Sequence, residues 1–523
     1  MKRTALLVVL MLLCGIIVKA QFKFLAESPA FEEPEAGRAK ILQLKNGNTM
    51  FILIDYKKGM NIRIYNAAHQ ETAITHVDAS FGSINAGVNA VFELAGDVVM
   101  MINVIDSRTP MLYRIVIDGK TGNVKDDKKI AEVSKRGIFF GESDVIYGGL
   151  TAPDFYVQKD PNSDNYAVVI FRRFESEQSK RIEVIAYGDD NKEINRAFYS
   201  SPEEKYKYLR CVDMAVIGSE KVSLLIYGYN TKGASAKDRS LILANLDKGA
   251  KTVSFTELDF SKDLIVYQGI VRYNPVMKSL ILLTLVKEKS RDNGYIPIMA
   301  FVDPYAKKIN RVNVVSPSDR LNQYSKKGFS GLPQNLYLND DGTFSIVSEE
   351  MKTLVQGRYV KTTLGDLAIV NYSKTGEFIN DYLIRKDQEL PNWYLNPFYQ
   401  SEREGTLQIL GDGNQFKPFV FLSAGPKSFV LFNDTERNND ALEKGSLVTV
   451  KAVSNCDGFY YPLKGVDPIL KRDYVFGNPA GKRDHDLALF SISDYDRKNN
   501  VYVTLKLENQ HGNKGVKLVW LQP

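Results

Sequence analysis

The chain has 523 residues with a formal charge of +6, is 44% apolar and 11% aromatic, and carries 28 Tyr and 27 Phe but only 2 Trp. No Lys/Arg run exceeds short pairs such as Arg172-Arg173, which excludes a phosphate-neutralising face and with it nucleic acid as an expected partner. A chain of this length buries a core without disulfide staples, and its aromatic usage suits a β-rich interior with many half-buried tyrosines.

The first twenty residues read as a secretory signal peptide: Lys2 and Arg3, an apolar stretch over 5–18, then Val18-Lys19-Ala20 before Gln21. Cleavage is expected after Ala20. It removes Lys2, Arg3 and Lys19, lowering the formal charge to +3 for the mature residues 21–523. The rival reading makes Cys14 a lipid acceptor, but Leu13 stands where that processing needs a small residue, and an apolar stub would remain. The apolar run is shorter than the ~20 residues that span a bilayer, so the expectation is an exported protein, periplasmic or extracellular, with no transmembrane segment once the signal is removed.

Beyond the signal, strand-like runs followed by a polar turn and a second run recur at intervals of roughly 50 to 85 residues. Their first members are 50–56, 98–105, 167–174, 222–229, 280–286, 343–348, 429–432 and 487–491. A repeat of this length fits one four-stranded antiparallel sheet. Such a sheet cannot cover both faces alone and must stack on its neighbours. The expected fold is therefore all-β, a β-propeller of eight blades with seven as the alternative, forming a single domain over 21–523. The strand near 22–25 and the strand near 516–521 are expected to complete one blade together and close the ring, leaving no free sheet edge.

Turn chemistry punctuates the repeat at Asn46-Gly47, Asp118-Gly119, Thr121-Gly122, Asp341-Gly342, Thr375-Gly376 and Asp457-Gly458. The stretches 112–124 and 369–379 share one pattern of alternation, tight turn and re-entry. Long helical periodicity is missing. Residues 200–206 suit a helical turn or two, and 175–180 suits that or an exposed hairpin tip. The 398–461 region is long enough for one blade with an insertion or for an irregular pair.

Chemistry is harder to find. The mature chain keeps Cys211 and Cys456, read as two free buried thiols with a single bridge between them as the alternative. The four histidines, His69, His76, His485 and His511, form no metal-binding pair, so no metal and no cofactor is expected. Asp160, Asn162 and Asp164 alternate like the start of a calcium loop. The twelfth position is Phe171 and Asn165 replaces the usual Gly, so the reading is a turn that caps its own backbone. The 433–440 run reads as a polar loop. Gly328-Phe329-Ser330-Gly331 misses the nucleophile-elbow spacing, and no phosphate-binding glycine loop occurs.

Five residues remain as candidate binding positions. Arg172 and Arg173 follow an apolar strand, and Tyr227 and Tyr229 close another. At strand ends, Arg suits carboxylates and Tyr suits sugars or peptides. His485, between Asp484 and Asp486, has carboxylates at hand to orient an imidazole, against the plainer reading of a polar loop before the 487–491 strand.

The Ala20-Gln21 junction, the Tyr-, Asn- and Lys-rich strands and loops such as Lys374-Thr375-Gly376-Glu377 resemble secreted β-propeller-like proteins of Bacteroidota bacteria. The chain has no Trp-Asp repeat ends, no recurring kelch double glycines, no sialidase Asp-box and no quinoprotein Trp motif. The resemblance implies export across the inner membrane and transfers no functional residue. The leading expectation is a non-catalytic binding propeller that recognises a polymer, peptide or protein, its partner a protein or a glycan. The alternatives are a structural component of an envelope or secretion assembly, and a carbohydrate-active hydrolase or lyase using carboxylates with His485.

Overall fold

A computed structural model of the chain describes residues 22–523 except 34–36, 56–57, 79–85, 136–145, 148–149, 152–153, 173–174, 176, 200–204, 231–238, 263, 288–293, 317, 325–327, 358, 394, 396–397, 399–407, 411–412, 440–445, 468, 480, 482 and 511–512. Eight antiparallel sheets follow one another as blades of a propeller. They span 37–77, 86–132, 155–199, 208–258, 265–314, 332–384, 420–474 and 485–522. Within each, strands add outward from the centre of the ring in chain order, except that the N-terminal strand supplies the outermost position of the eighth blade and a late strand joins the inner edge of the first.

The second strand of a blade explains why the repeat was readable. In the fourth blade it is Lys221–Tyr229, flanked on one edge by Tyr208–Ile217 and on the other by Arg239–Asp247. Its side chains alternate between two apolar surfaces: Val222, Leu224 and Ile226 pack against the third blade, while Leu225, Tyr227 and Tyr229 pack against the fifth. A strand buried on both faces loses the polar half of its alternation and reads as a continuous apolar run. Seven of the eight expected runs fall on such second strands. The eighth, 487–491, lies instead in the innermost strand His485–Asp496 of the last blade.

Apolar clusters bridge each successive pair of blades, including the eighth and the first. Closure is made by the N-terminal strand Lys23–Glu27, which pairs antiparallel with Asn513–Gln522 as the outermost strand of the eighth blade. Phe22 locks it from the inside, its ring 5.1 Å from Phe429, 4.8 Å from Tyr460 and 6.2 Å from Tyr502. Trp520 is fully buried on the other side of the same blade and donates Nε1–H to the Thr49 hydroxyl of the first blade at 3.0 Å.

Several local expectations are corrected or refined. Asp457-Gly458 is not a turn; it opens the strand Asp457–Pro462, paired along its length with Lys427–Asp434. The long 398–461 region yields one blade with 435–456 inserted. A separate strand, Gln408–Leu410, pairs with the inner edge of the first blade at Gly37–Ala39. Residues 178–180 form a single 3-10 turn. The Asp160 carboxylate is fully engaged by the Asn162 N–H, the Ser163 hydroxyl and the Gly218 N–H of the next blade, so this loop is a self-capping turn. Cys211 and Cys456 form no disulfide and are buried. Among the described residues, no helix is long and apolar enough to cross a membrane.

Candidate functional site

In a blade that zigzags outward, the connections between first and second strands and between third and fourth strands emerge on one face of the ring. Those between second and third strands, and from blade to blade, emerge on the other. The first face carries tight connections: 44–48, 95–96, 160–165, 218–220, 275–278, 339–343, 425–426 and 497–500 at the centre, with 463–472 the longest at the rim. The second face carries 133–154, 172–181, 315–331, 385–419 and 435–456. The second and third strands of the sixth blade, Phe344–Gln356 and Tyr359–Tyr372, also run on past their neighbours and project from this face as a hairpin. Gln388–Pro391 joins that hairpin as a further strand.

Polar groups concentrate on this loop-bearing face where the sixth, seventh and eighth blades meet. Lys386 donates to Glu349 at 2.6 Å with neither side chain exposed, between the rings of Phe419 and Phe432. Burial pulls the Lys386 ammonium below the usual lysine range, and the Glu349 carboxylate opposes that pull. One blade further, Asp434 ends the second strand and is held by Arg472 at 2.5 Å and by the Asn438 side-chain amide at 2.8 Å. Arg472 also donates to the Thr435 carbonyl and the Asn439 side chain, and its guanidinium lies 3.8 Å above the Phe459 ring. Burial raises the Asp434 carboxyl above the ordinary range, with Arg472 acting against it.

The loop-facing end of the neighbouring strand supplies Asp457, which is buried. One of its oxygens accepts the Asp486 N–H at 2.8 Å; the other lies 3.1 Å from His485 Nδ1. Asp486 is itself raised by burial, offset by Lys506 at 3.2 Å, and Lys506 reaches Glu508 at 2.9 Å. Within the 385–419 connection, Lys417 is held by the carbonyls of Glu389 and Lys451 at 2.5 and 2.9 Å, and burial pulls its ammonium down. The Cys456 thiol is pushed up to about 12 by burial and then by Asp434 and Asp457, so it is not poised as a thiolate nucleophile. Among the described residues, no three or more His, Cys, Asp or Glu side chains are placed to hold a metal ion.

The five residues singled out in the sequence are not brought together. Arg172, on the third blade, is spent on Glu183 at 2.5 Å and on the Glu132 carbonyl at 3.0 Å; Glu183 is buried and also pairs with Arg196. Arg173 lies outside the described residues. Tyr227 is fully buried between the fourth and fifth blades, donates its hydroxyl to the Leu264 carbonyl at 3.2 Å and stacks on Tyr229. Tyr229 is buried and stacks in turn on Tyr208. His485 stands on the eighth blade, across the ring from those tyrosines, and its orienting carboxylate is Asp457 rather than the adjacent Asp484 or Asp486. Asp434, Asp457 and Arg472 were missed because Asp434 sat in a run read as loop and Asp457 in a dipeptide read as turn. The available signal was a carboxylate one residue beyond an aromatic run, Phe429–Phe432 before Asp434 and Phe459–Tyr461 after Asp457.

No family model matches the chain, and no curated protein matches it. Among solved structures it is similar to polysaccharide lyase Uly1, at 11% identity over 83% of this chain and 89% of that one, with a TM-score of 0.39. It is similar to an uncharacterised protein from Listeria monocytogenes at 10% identity over 76% and 92%, with a TM-score of 0.34. It also resembles the dihydro-heme d1 dehydrogenase NirN, at 8% identity over 95% and 76%, with a TM-score of 0.40. At these values none lends this chain a ligand or a reaction.

Proposed function

We propose that this chain is an exported propeller, of the secreted type found in Bacteroidota, that recognises a polymer, peptide or protein partner on its loop-bearing face. The observation that supports this reading is the difference between the two faces. Connections that only need to reverse the chain are kept short on one face, whereas 133–154, 315–331, 385–419 and 435–456 extend the other far beyond what strand reversal requires. Long connections on a rigid scaffold are where recognition residues concentrate. The same face carries His485, partly exposed at a strand end and held by Asp457, beside the buried pairs Lys386–Glu349 and Asp434–Arg472, which are spent on holding the strand ends. Recognition then needs little conformational change, because the blades beneath are packed on both sides.

The test is an array of polysaccharides and peptides probed with the purified mature chain. Retention on at least one class of polymer, with affinity unchanged in the turn-face variant Lys498→Glu and lowered in the loop-face variant Arg483→Glu, is the expected result. Silence across the array and against an envelope extract would remove the reading.

A further inference from the structure

His485 differs from the other described histidines. His69 is packed against the Trp520 ring at 4.8 Å, and His76 lies on an outer strand between Asn61 and Asp78. His485 opens the innermost strand of the eighth blade on the loop-bearing face, with its side chain 17% exposed and Nδ1 held by Asp457, whose own side chain is 3% exposed. Because the second Asp457 oxygen is pinned by the Asp486 N–H, the carboxylate cannot swing away from the ring. A carboxylate only accepts, so in the neutral imidazole the bond places the proton on Nδ1 and leaves the lone pair on Nε2. Among the described residues no hydrogen bond reaches Nε2.

We propose that His485 and Asp457 form a proton-transfer pair, in which Asp457 fixes the Nδ1–H tautomer and Nε2 takes a proton from the O–H of a saccharide hydroxyl, or of water, seated on the loop-bearing face. The O–H bond breaks, its electron pair stays on oxygen, and the proton bonds to the Nε2 lone pair; no oxidant or reductant is involved. Asp457 is the positioning residue, and it also stabilises the imidazolium that forms. Of the ionisable groups nearby among the described residues, Asp457 alone contacts the ring; Asp486 and Glu508, one register position along, are paired with Lys506.

The inference rests on the reading of this face as the ligand surface, but its test needs no ligand. The mature chain is treated with diethyl pyrocarbonate near neutral pH, and carbethoxylation of each histidine is followed by peptide mass spectrometry. His485 is expected to react at Nε2. In Asp457→Asn the amide donates to Nδ1 and moves the proton to Nε2, slowing the reaction of His485 about tenfold or more while His76 reacts as before. In parallel, the imidazole ¹⁵N shifts of the unaltered chain are expected to report a protonated Nδ1 and a bare Nε2, which keeps the test decisive should Asp457→Asn fail to fold. An unreactive His485, an unchanged rate in Asp457→Asn, or an Nε2–H tautomer would overturn the proposal, whatever the array shows.

Discussion

Lys386 and Glu349 meet where no water reaches either side chain. A buried pair of this kind adds little over apolar residues of the same volume, yet losing one partner strands the other as an uncompensated charge. Replacing Lys386 with Met is therefore expected to cost about 3–5 kcal/mol, read from the midpoint of urea unfolding at constant slope. The double change Glu349→Leu with Lys386→Met is expected to recover most of that loss. The Cys456 thiol makes a second prediction at this scale. With its ionisation pushed up to about 12, neither it nor buried Cys211 should react with a thiol reagent at pH 8 until the protein unfolds. Rapid labelling of the native chain would contradict the burial described. Single residues were also where the sequence misled most. Tyr227 and Tyr229 look like a strand-end binding motif, but they follow the two-sided alternation of Val222–Ile226 and face the fifth blade's core. Arg172 looks free in sequence because its partner Glu183 stands on the next strand, a separation that no local pattern encodes.

At the level of elements, the closing strand concentrates the most consequence in the fewest residues. Lys23–Glu27 covers the edge of Asn513–Gln522, and Phe22 fills the aromatic pocket of Phe429, Tyr460 and Tyr502. Phe22→Ala is expected to destabilise the chain by about 3–5 kcal/mol through the cavity it leaves, measured by thermal or urea unfolding. Beginning the chain after Glu27 is expected to do more: it bares a ten-residue edge strand and should produce association visible by light scattering. An unchanged monomer of unchanged stability would show that the ring is closed by something else. Closure was legible in advance, because a lone apolar strand at each terminus has no other way to cover its face. The second strands were legible for the same reason. The seventh blade was harder to read because 435–456 separates its second and third strands, so the pairing of Asp434 with Asp457 joins residues that no hairpin signal connects.

Across the whole molecule, the aromatic content that suggested a β-rich interior now sets an alkaline limit. Burial pushes Tyr372 and Tyr460 up to about 12, and Tyr65 likewise, with Glu71 adding to the shift. In the unfolded chain these phenols ionise near 10. A folded value above the unfolded one means the stabilisation is complete below pH 10 and is lost as pH rises from 10 towards 12. Stability to urea is expected to be flat on this account from neutrality to about pH 9.5 and to fall steeply above it, with phenolate absorbance appearing together with unfolding. Phenolate absorbance rising fully near pH 10 with the fold intact would contradict the burial of these rings. The two faces of the ring carry the functional claim, and they can be separated on one scaffold. Arg483→Cys places a single exposed thiol on the loop-bearing face and Lys498→Cys places one on the turn face, while Cys211 and Cys456 stay buried. Each is coupled to a polyethylene glycol maleimide, and binding to the polymer retained on the array is measured. The chain shielded at position 483 is expected to lose binding and the chain shielded at position 498 to keep it. Loss at 498 with binding preserved at 483 would contradict it.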